Sequence, residues 1–157
     1  RFLVLGEVSQ QLDLVDVRGK IVIDVGAGTG RLALSAAPLA KTVYAVEPVA
    51  NLRVYLTNKA RAAGLVNVFA VDGLITAIPF PDGFAHVTMG GHVFGDDLEA
   101  EHRELARVTR PGGMIILCPG NNDADNPTHS FLVGHGFAWA RFEEPGDGWK
   151  RKYWRTV

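Results

Sequence analysis

Cysteine is nearly absent from this chain of 157 residues: Cys118 stands alone, so no internal disulfide can form and no thiolate cluster can hold zinc. That usage fits a reducing, cytoplasmic setting. Excess charge is missing too, because 16 Lys plus Arg against 17 Asp plus Glu leave a formal charge of −1. Bulk electrostatics therefore give no reason to expect nucleic acid or an anionic membrane as a partner, and a small molecule is expected instead. No apolar run approaches the ~20 residues of a membrane-spanning helix. The first one, Phe2 to Leu5, is broken by Gly6-Glu7 and matches neither a signal peptide nor a span. The chain opens at Arg1 without a methionine, so residues before it are expected. Internal repeats and low-complexity stretches are also lacking. The length predicts a single domain over 1–157, with 1–19 as a short N-terminal segment.

Glycine, by contrast, is plentiful: 18 of the 157 residues, above the usual ~7%. Lys20 to Val25 is a β-branched run that ends in Gly26-Ala27-Gly28-Thr29-Gly30 and continues as Arg31 to Ala37 before Pro38, the pattern of strand, tight loop and helix. A second run, Thr42 to Val46, ends at Glu47. After it Val49, Leu52, Leu56, Ala60 and Ala63 recur at helical spacing, with Pro48 read as the first helical position and Gly64 as the stop. Asn67 to Val71 ends at Asp72-Gly73, and Phe84 to Met89 ends at Gly90-Gly91. A helix capped near Asp96-Asp97 follows, and Met114 to Cys118 is a fifth strand after Pro111-Gly112-Gly113. Such alternation predicts an α/β domain with a central parallel sheet. A short helix from Asn126-Pro127 to Gly136 precedes two strand-like runs, Phe137–Glu144 and Trp149–Val157, parted by Pro145-Gly146-Asp147-Gly148. This predicts a C-terminal antiparallel hairpin.

Ligands of open α/β sheets bind at the carboxyl ends of the strands. The glycine loop lies at one such end, where chain reversal and close backbone approach both exclude a β-carbon. A dinucleotide fingerprint would carry its third glycine at position 31, where Arg31 stands, so the spacing is G-x-G-x-G and a nicotinamide dehydrogenase is disfavoured. At the next strand end Glu47 is placed to accept both hydroxyls of a ribose. Asp72 ends the third strand at the same level and is suited to an adenine amine, with Pro48 and Leu74 flanking the base. Three consecutive strand ends carrying these groups describe a nucleoside-shaped site.

The segments Val22 to Gly30, Tyr44-Ala45-Val46-Glu47-Pro48, Val71-Asp72-Gly73 and Arg110-Pro111-Gly112-Gly113 together resemble the ordered motifs of class I S-adenosylmethionine (SAM)-dependent methyltransferases. Ile78 to Phe84 further resembles the segment before the fourth strand in the small-molecule branch that includes ubiquinone and menaquinone biosynthesis. It departs from that branch where Ala85 and His86 follow Phe84 in place of an aspartate. The resemblance implies a Rossmann-like, doubly wound, mostly parallel seven-stranded sheet. It also implies SAM as cofactor and S-adenosylhomocysteine as product, with Asp24, Gly26, Ala27, Gly28 and Gly30 at the methionine end and Glu47 and Pro48 at the ribose. Asp72, Gly73 and Leu74 would then meet the adenine, and Gly90 would offer backbone contact near the sulfonium. His92 is the one titratable residue that motif position brings toward the substrate.

Methyl transfer from a sulfonium needs mainly positioning, and a base only where the acceptor must lose a proton. The remaining histidines read as structural. His86 alternates in a strand, His102 lies on a helix face, and His129 and His135 are too far apart for one helical ligand pair, so no metal site is expected. Trp139, Trp149, Tyr153 and Trp154 are suited to stack on an aromatic substrate or nucleobase, but the simpler reading is cross-strand packing in the hairpin. Lys150, Arg151, Lys152 and Arg155 form a basic end that hints at RNA or an anionic acceptor, but the favoured reading is the charged face of a solvated edge strand. The expected function is methyl transfer from SAM to a small-molecule acceptor, with an accessory SAM-binding subunit as the alternative and a homodimer left open.

Overall fold

The computed structural model describes residues 7–120 and 123–157; the apolar run Phe2 to Leu5 lies outside the described residues. The elements are α1 (Glu7–Leu12), β1 (Ile21–Val25), α2 (Arg31–Ala36), β2 (Thr42–Val46), α3 (Ala50–Ala62), β3 (Val68–Val71), β4 (Ala85–Gly91), α4 (Leu98–Val108), β5 (Thr109–Cys118), α5 (Pro127–Gly134), β6 (Ala138–Glu144) and β7 (Gly148–Thr156). They form one seven-stranded sheet in the order β3-β2-β1-β4-β5-β7-β6. The first five strands are parallel, and β7 runs antiparallel to both β5 and β6. The expected Rossmann-like α/β fold with its C-terminal hairpin is present.

Two apolar clusters cover the two faces. Val8, Leu32, Ala33, Ala36 and Leu56 from α1, α2 and α3 pack on one side of the sheet. Leu105, Val108 and Leu132 from α4 and α5 pack on the other. The β3-to-β4 crossover carries no helix. There Tyr44, Phe80 and Phe84 stack with ring centroids 4.7 to 5.4 Å apart and shield the sheet in a helix's stead. Arg107 ties this segment down by donating to the carbonyls of Ile78 and Phe80 at 2.9 and 2.8 Å.

Three local expectations are corrected. Pro48 is not the first helical position, because Val49 is the N-cap of α3; the Glu47 carboxylate accepts from the Val49 N–H and bends the chain before the helix starts. The fifth strand begins at Thr109 rather than Met114, with Pro111-Gly112-Gly113 as a bulge within it: the register jumps from Ala85 opposite Thr109 to Val87 opposite Met114, and Gly112 donates to Val157. Nor is β7 an edge strand. The order β5-β7-β6 puts it inside the sheet, so Lys150 and Arg151 are 3% and 8% exposed and paired with acids rather than solvated. Among the described residues no helix is long and apolar enough to cross a membrane.

Candidate functional site

Register sets three strand ends level. Val25 pairs with Val46 and Val46 with Val71, so the next residues, Gly26, Glu47 and Asp72, stand side by side at the carboxyl edge. On the other side Asp24 pairs with Met89, which brings Gly90 and Gly91 alongside the glycine loop.

Glu47 is buried, and its carboxylate bridges two loops. One oxygen accepts from the Gly28 N–H at 3.0 Å and the other from the Val49 N–H at 2.7 Å. Each oxygen keeps a further lone pair for a hydroxyl. Asp72 is open, with a side chain 73% exposed and an ion pair to Arg53 at 3.3 Å. Arg53 also donates to the Glu47 and Pro48 carbonyls, which joins the second and third strand ends. Pro48 and Leu74 are exposed as well.

Gly26, Gly28 and Gly30 all adopt positive φ, 65°, 57° and 86°, which side chains disfavour. A β-carbon on Gly28 would meet nothing within 4 Å, so the space above it is an open cradle. Gly26 and Gly90 differ, since β-carbons there would lie 2.6 and 2.8 Å from the side chain of Val93, which packs over both. Gly73 is held by packing as well, with Pro79 Cδ 2.8 Å from its β-carbon position. Ala27 donates to the Val46 carbonyl at 3.0 Å, and Gly30 is the N-cap of α2. Asp24 is buried and turned toward α2, where it accepts from the Ala33 N–H at 3.1 Å. It secures one of the N–H groups that the first turn of a helix leaves without an intrahelical partner.

His92 is exposed at this edge and is the one non-glycine among the described residues with positive φ, 58°. Such a conformation costs about 1–3 kcal/mol. Its N–H donates to the Cys118 carbonyl at 2.9 Å, and the reversal it makes is followed directly by Val93. Downstream, the buried Glu101 accepts from the N–H groups of Gly95 and Asp97, both at 2.8 Å, and so fixes the loop after β4.

Sequence reasoning missed a second half of the edge. A cavity of about 230 Å³ is lined by Phe94 from the β4 loop, Pro119 and Gly120 after β5, Thr128 of α5, and Arg151 and Tyr153 of β7. Behind it, His129 Nδ1 lies 3.0 Å from the Tyr153 hydroxyl and 3.0 Å from Arg151 Nη1. Arg151 is fixed by Asp123 at 2.7 Å and Asp125 at 2.8 Å, and its guanidinium covers the Trp139 ring at 4.4 Å. Burial pushes the Tyr153 hydroxyl above its usual pKa against the opposing pull of Arg151. No local spacing joins residues so far apart in the chain; the exposed-edge reading of β7 concealed them. Among the described residues no group of His, Cys, Asp and Glu could hold a metal.

The open cradle at Gly28, the Glu47 carboxylate with lone pairs to spare and the exposed Asp72 at the next strand end fit an adenosine-bearing cofactor with a polar tail. Residues 22–113 match the family described as methyltransferase domain. Demethylmenaquinone methyltransferase of Geobacillus kaustophilus is 35% identical over 107 residues, which cover 63% of this chain and 44% of that protein. The match thus spans less than half the length of that relative. Among solved structures, a SAM-dependent methyltransferase from Aquifex aeolicus shares the fold at 20% identity with a TM-score of 0.76, covering 98% of this chain and 91% of that one. Geranyl diphosphate methyltransferase in complex with SAM shares it at 15% identity and a TM-score of 0.78, over 94% of this chain and 83% of that one. The chain belongs to the methyltransferase domain family, in its class I, SAM-dependent group.

Proposed function

We infer that residues 1–157 act as a single domain that moves a methyl group from SAM to a small-molecule acceptor, in the cytoplasm. The observation that carries this reading is the row of strand ends, with Glu47 bonded to Gly28 across the first two and Asp72 open at the third. When bound, SAM supplies a methyl group whose sulfonium leaving group is already activated, so the chain's task is to orient and to exclude water. Gly28 and its neighbours receive the methionine end, Glu47 accepts the ribose hydroxyls, and Asp72 accepts the adenine amine between Pro48 and Leu74. Gly90 and His92 border the reacting end, beside the cavity that Phe94 and Tyr153 line. Asp24 and Gly73 serve by holding α2 and the Pro79 segment in place.

Calorimetric titration tests this directly. Wild-type protein is expected to bind SAM saturably and not to bind a nicotinamide dinucleotide. Gly28→Phe should abolish SAM binding; its β-carbon meets open space, so the strain of a side chain at φ 57°, about 1–3 kcal/mol, should lower the melting temperature while the circular dichroism spectrum stays native. Undiminished SAM affinity in that variant would remove the glycine-loop assignment. An accessory subunit would bind SAM in the same way yet release no S-adenosylhomocysteine with any acceptor.

A further inference from the structure

The cluster behind the cavity is built for more than packing. Arg151 Nη1 can only donate, so the His129 Nδ1 that it faces is the unprotonated nitrogen, and the ring proton sits on Nε2, 3.6 Å from Asp125. The Tyr153 hydroxyl, 3.0 Å from the same Nδ1, therefore has a base behind it while its own residue lines the cavity. Asp125, His129 and Tyr153 stand in a row that leads from solvent to the cavity wall; the Asp125 side chain is 76% exposed, and Tyr153 is 3% exposed.

Charge decides what the cavity can hold. Asp123 pairs with Arg141 at 3.0 Å and with Arg151 at 2.7 Å, and Asp125 pairs with Arg151 at 2.8 Å. Two guanidinium groups and two carboxylates cancel, which leaves no net charge to recruit an ion, and an ion entering unpaired would lose its hydration without recompense. Phe94, Pro119 and the Tyr153 ring give the walls an apolar share.

We propose that this cavity is the acceptor pocket and takes a small, uncharged molecule bearing an aromatic or alcoholic hydroxyl, with Tyr153 as the residue that receives its proton. The acceptor's O–H proton passes to Tyr153 Oη as the tyrosine's own proton passes to His129 Nδ1, and Arg151 Nη1 gives up its hydrogen bond to that nitrogen while keeping the one to Asp125. This leaves the acceptor oxygen with the electron pair of its broken O–H bond, ready to take a methyl group, and an imidazolium beside Asp125. His129 is a positioning and relay residue, since it reaches the acceptor through Tyr153. The inference rests on the methyltransferase reading and adds the acceptor's class to it.

The test uses the full chain saturated with S-adenosylhomocysteine and p-nitrophenol as probe, whose phenolate absorbs visibly and whose neutral form does not. Binding should raise the phenolate absorbance at a pH where the free probe is protonated. Tyr153→Phe should weaken probe binding about tenfold and remove the rise. His129→Gln should still bind the probe but give no rise, a signature that a merely structural histidine would not produce. Both variants should keep wild-type affinity for S-adenosylhomocysteine, and benzoate should bind at least about tenfold more weakly than the probe. Absence of probe binding, an undiminished rise in His129→Gln, or benzoate binding as tightly as the probe overturns the proposal. Wild-type protein that fails to bind S-adenosylhomocysteine, measured before the probe is added, removes the methyltransferase reading together with this one.

Discussion

Glu47 serves two ends with one carboxylate. Each oxygen already accepts a backbone N–H, from Gly28 and from Val49, and the residue is 5% exposed. A polar side chain so placed positions the glycine loop even before a ribose arrives. Replacing it with alanine removes the acceptor of the part-buried Gly28 N–H, at up to about 1–3 kcal/mol, while the N–H of the half-exposed Val49 can turn to water at little cost. Glu47→Ala is therefore expected to lower the unfolding free energy in urea and to weaken SAM binding together. A variant that lost SAM affinity at full stability would assign Glu47 to ligand contact alone. The sequence made the ribose-facing role legible, because a carboxylate closes β2 beside the glycine loop. It concealed the loop-bracing role, which depends on how β1 and β2 align. Val93 shows the same limit: nothing in its neighbourhood along the chain announces that it packs over both Gly26 and Gly90.

Among the elements, α4 has the most deliberate start. Asp97 caps it by accepting from the Ala100 N–H at 3.2 Å, and Glu101 reaches back to the N–H groups of Gly95 and Asp97. The cap was legible in Asp96-Asp97; the buried glutamate was not, since a helical Glu ordinarily faces water. Losing an N-cap costs ~1 kcal/mol, whereas stranding two N–H groups against a residue that is 1% exposed costs more. Chemical denaturation should rank Glu101→Ala below Asp97→Ala in stability. Equal losses would mean that the Gly95 and Asp97 N–H groups find water instead. The hairpin makes the complementary point. Turn residues at Pro145 to Gly148 predicted it, and the pairing of Trp139 with Tyr153 and Glu143 with Trp149 bears it out. Which of its strands lies inside the sheet is decided by β5, which takes β7 as its neighbour.

Over the whole molecule, neutral histidines make stability sensitive to mild acid. Burial lowers the pKa of His102, with His135 and Arg155 adding to the effect and Glu99 opposing it. Burial and the neighbouring charges of Arg110, Lys20 and Lys41 do the same for His86, whose Nδ1 accepts from the Ile21 N–H. The unfolded chain takes up these protons near 6.5 and the folded chain only at lower pH. The stability they confer is thus complete above about 6.5 and declines as pH falls through that value toward their folded pKa. Melting temperature should hold steady from about pH 8 to 7 and fall as the pH drops below about 6.5. His102→Gln should flatten part of that fall, and an unchanged slope would clear His102 of responsibility. The carboxylates of Glu104 and Asp125, held low by hydrogen bonds from Arg107 and Arg151, add a separate loss only in the acid range below.

Periodicity, turn chemistry and strand-end residues are local properties, and the alternation of strands and helices, the glycine loop and the acids that close β2 and β3 follow from them. Long-range packing instead sets Gly26, Glu47 and Asp72 level, makes β7 an interior strand, and brings Arg151, Tyr153 and His129 to one cavity. Those facts depend on register and strand order, which the burial of two apolar faces fixes over the whole sheet at once and which no stretch of the chain specifies alone.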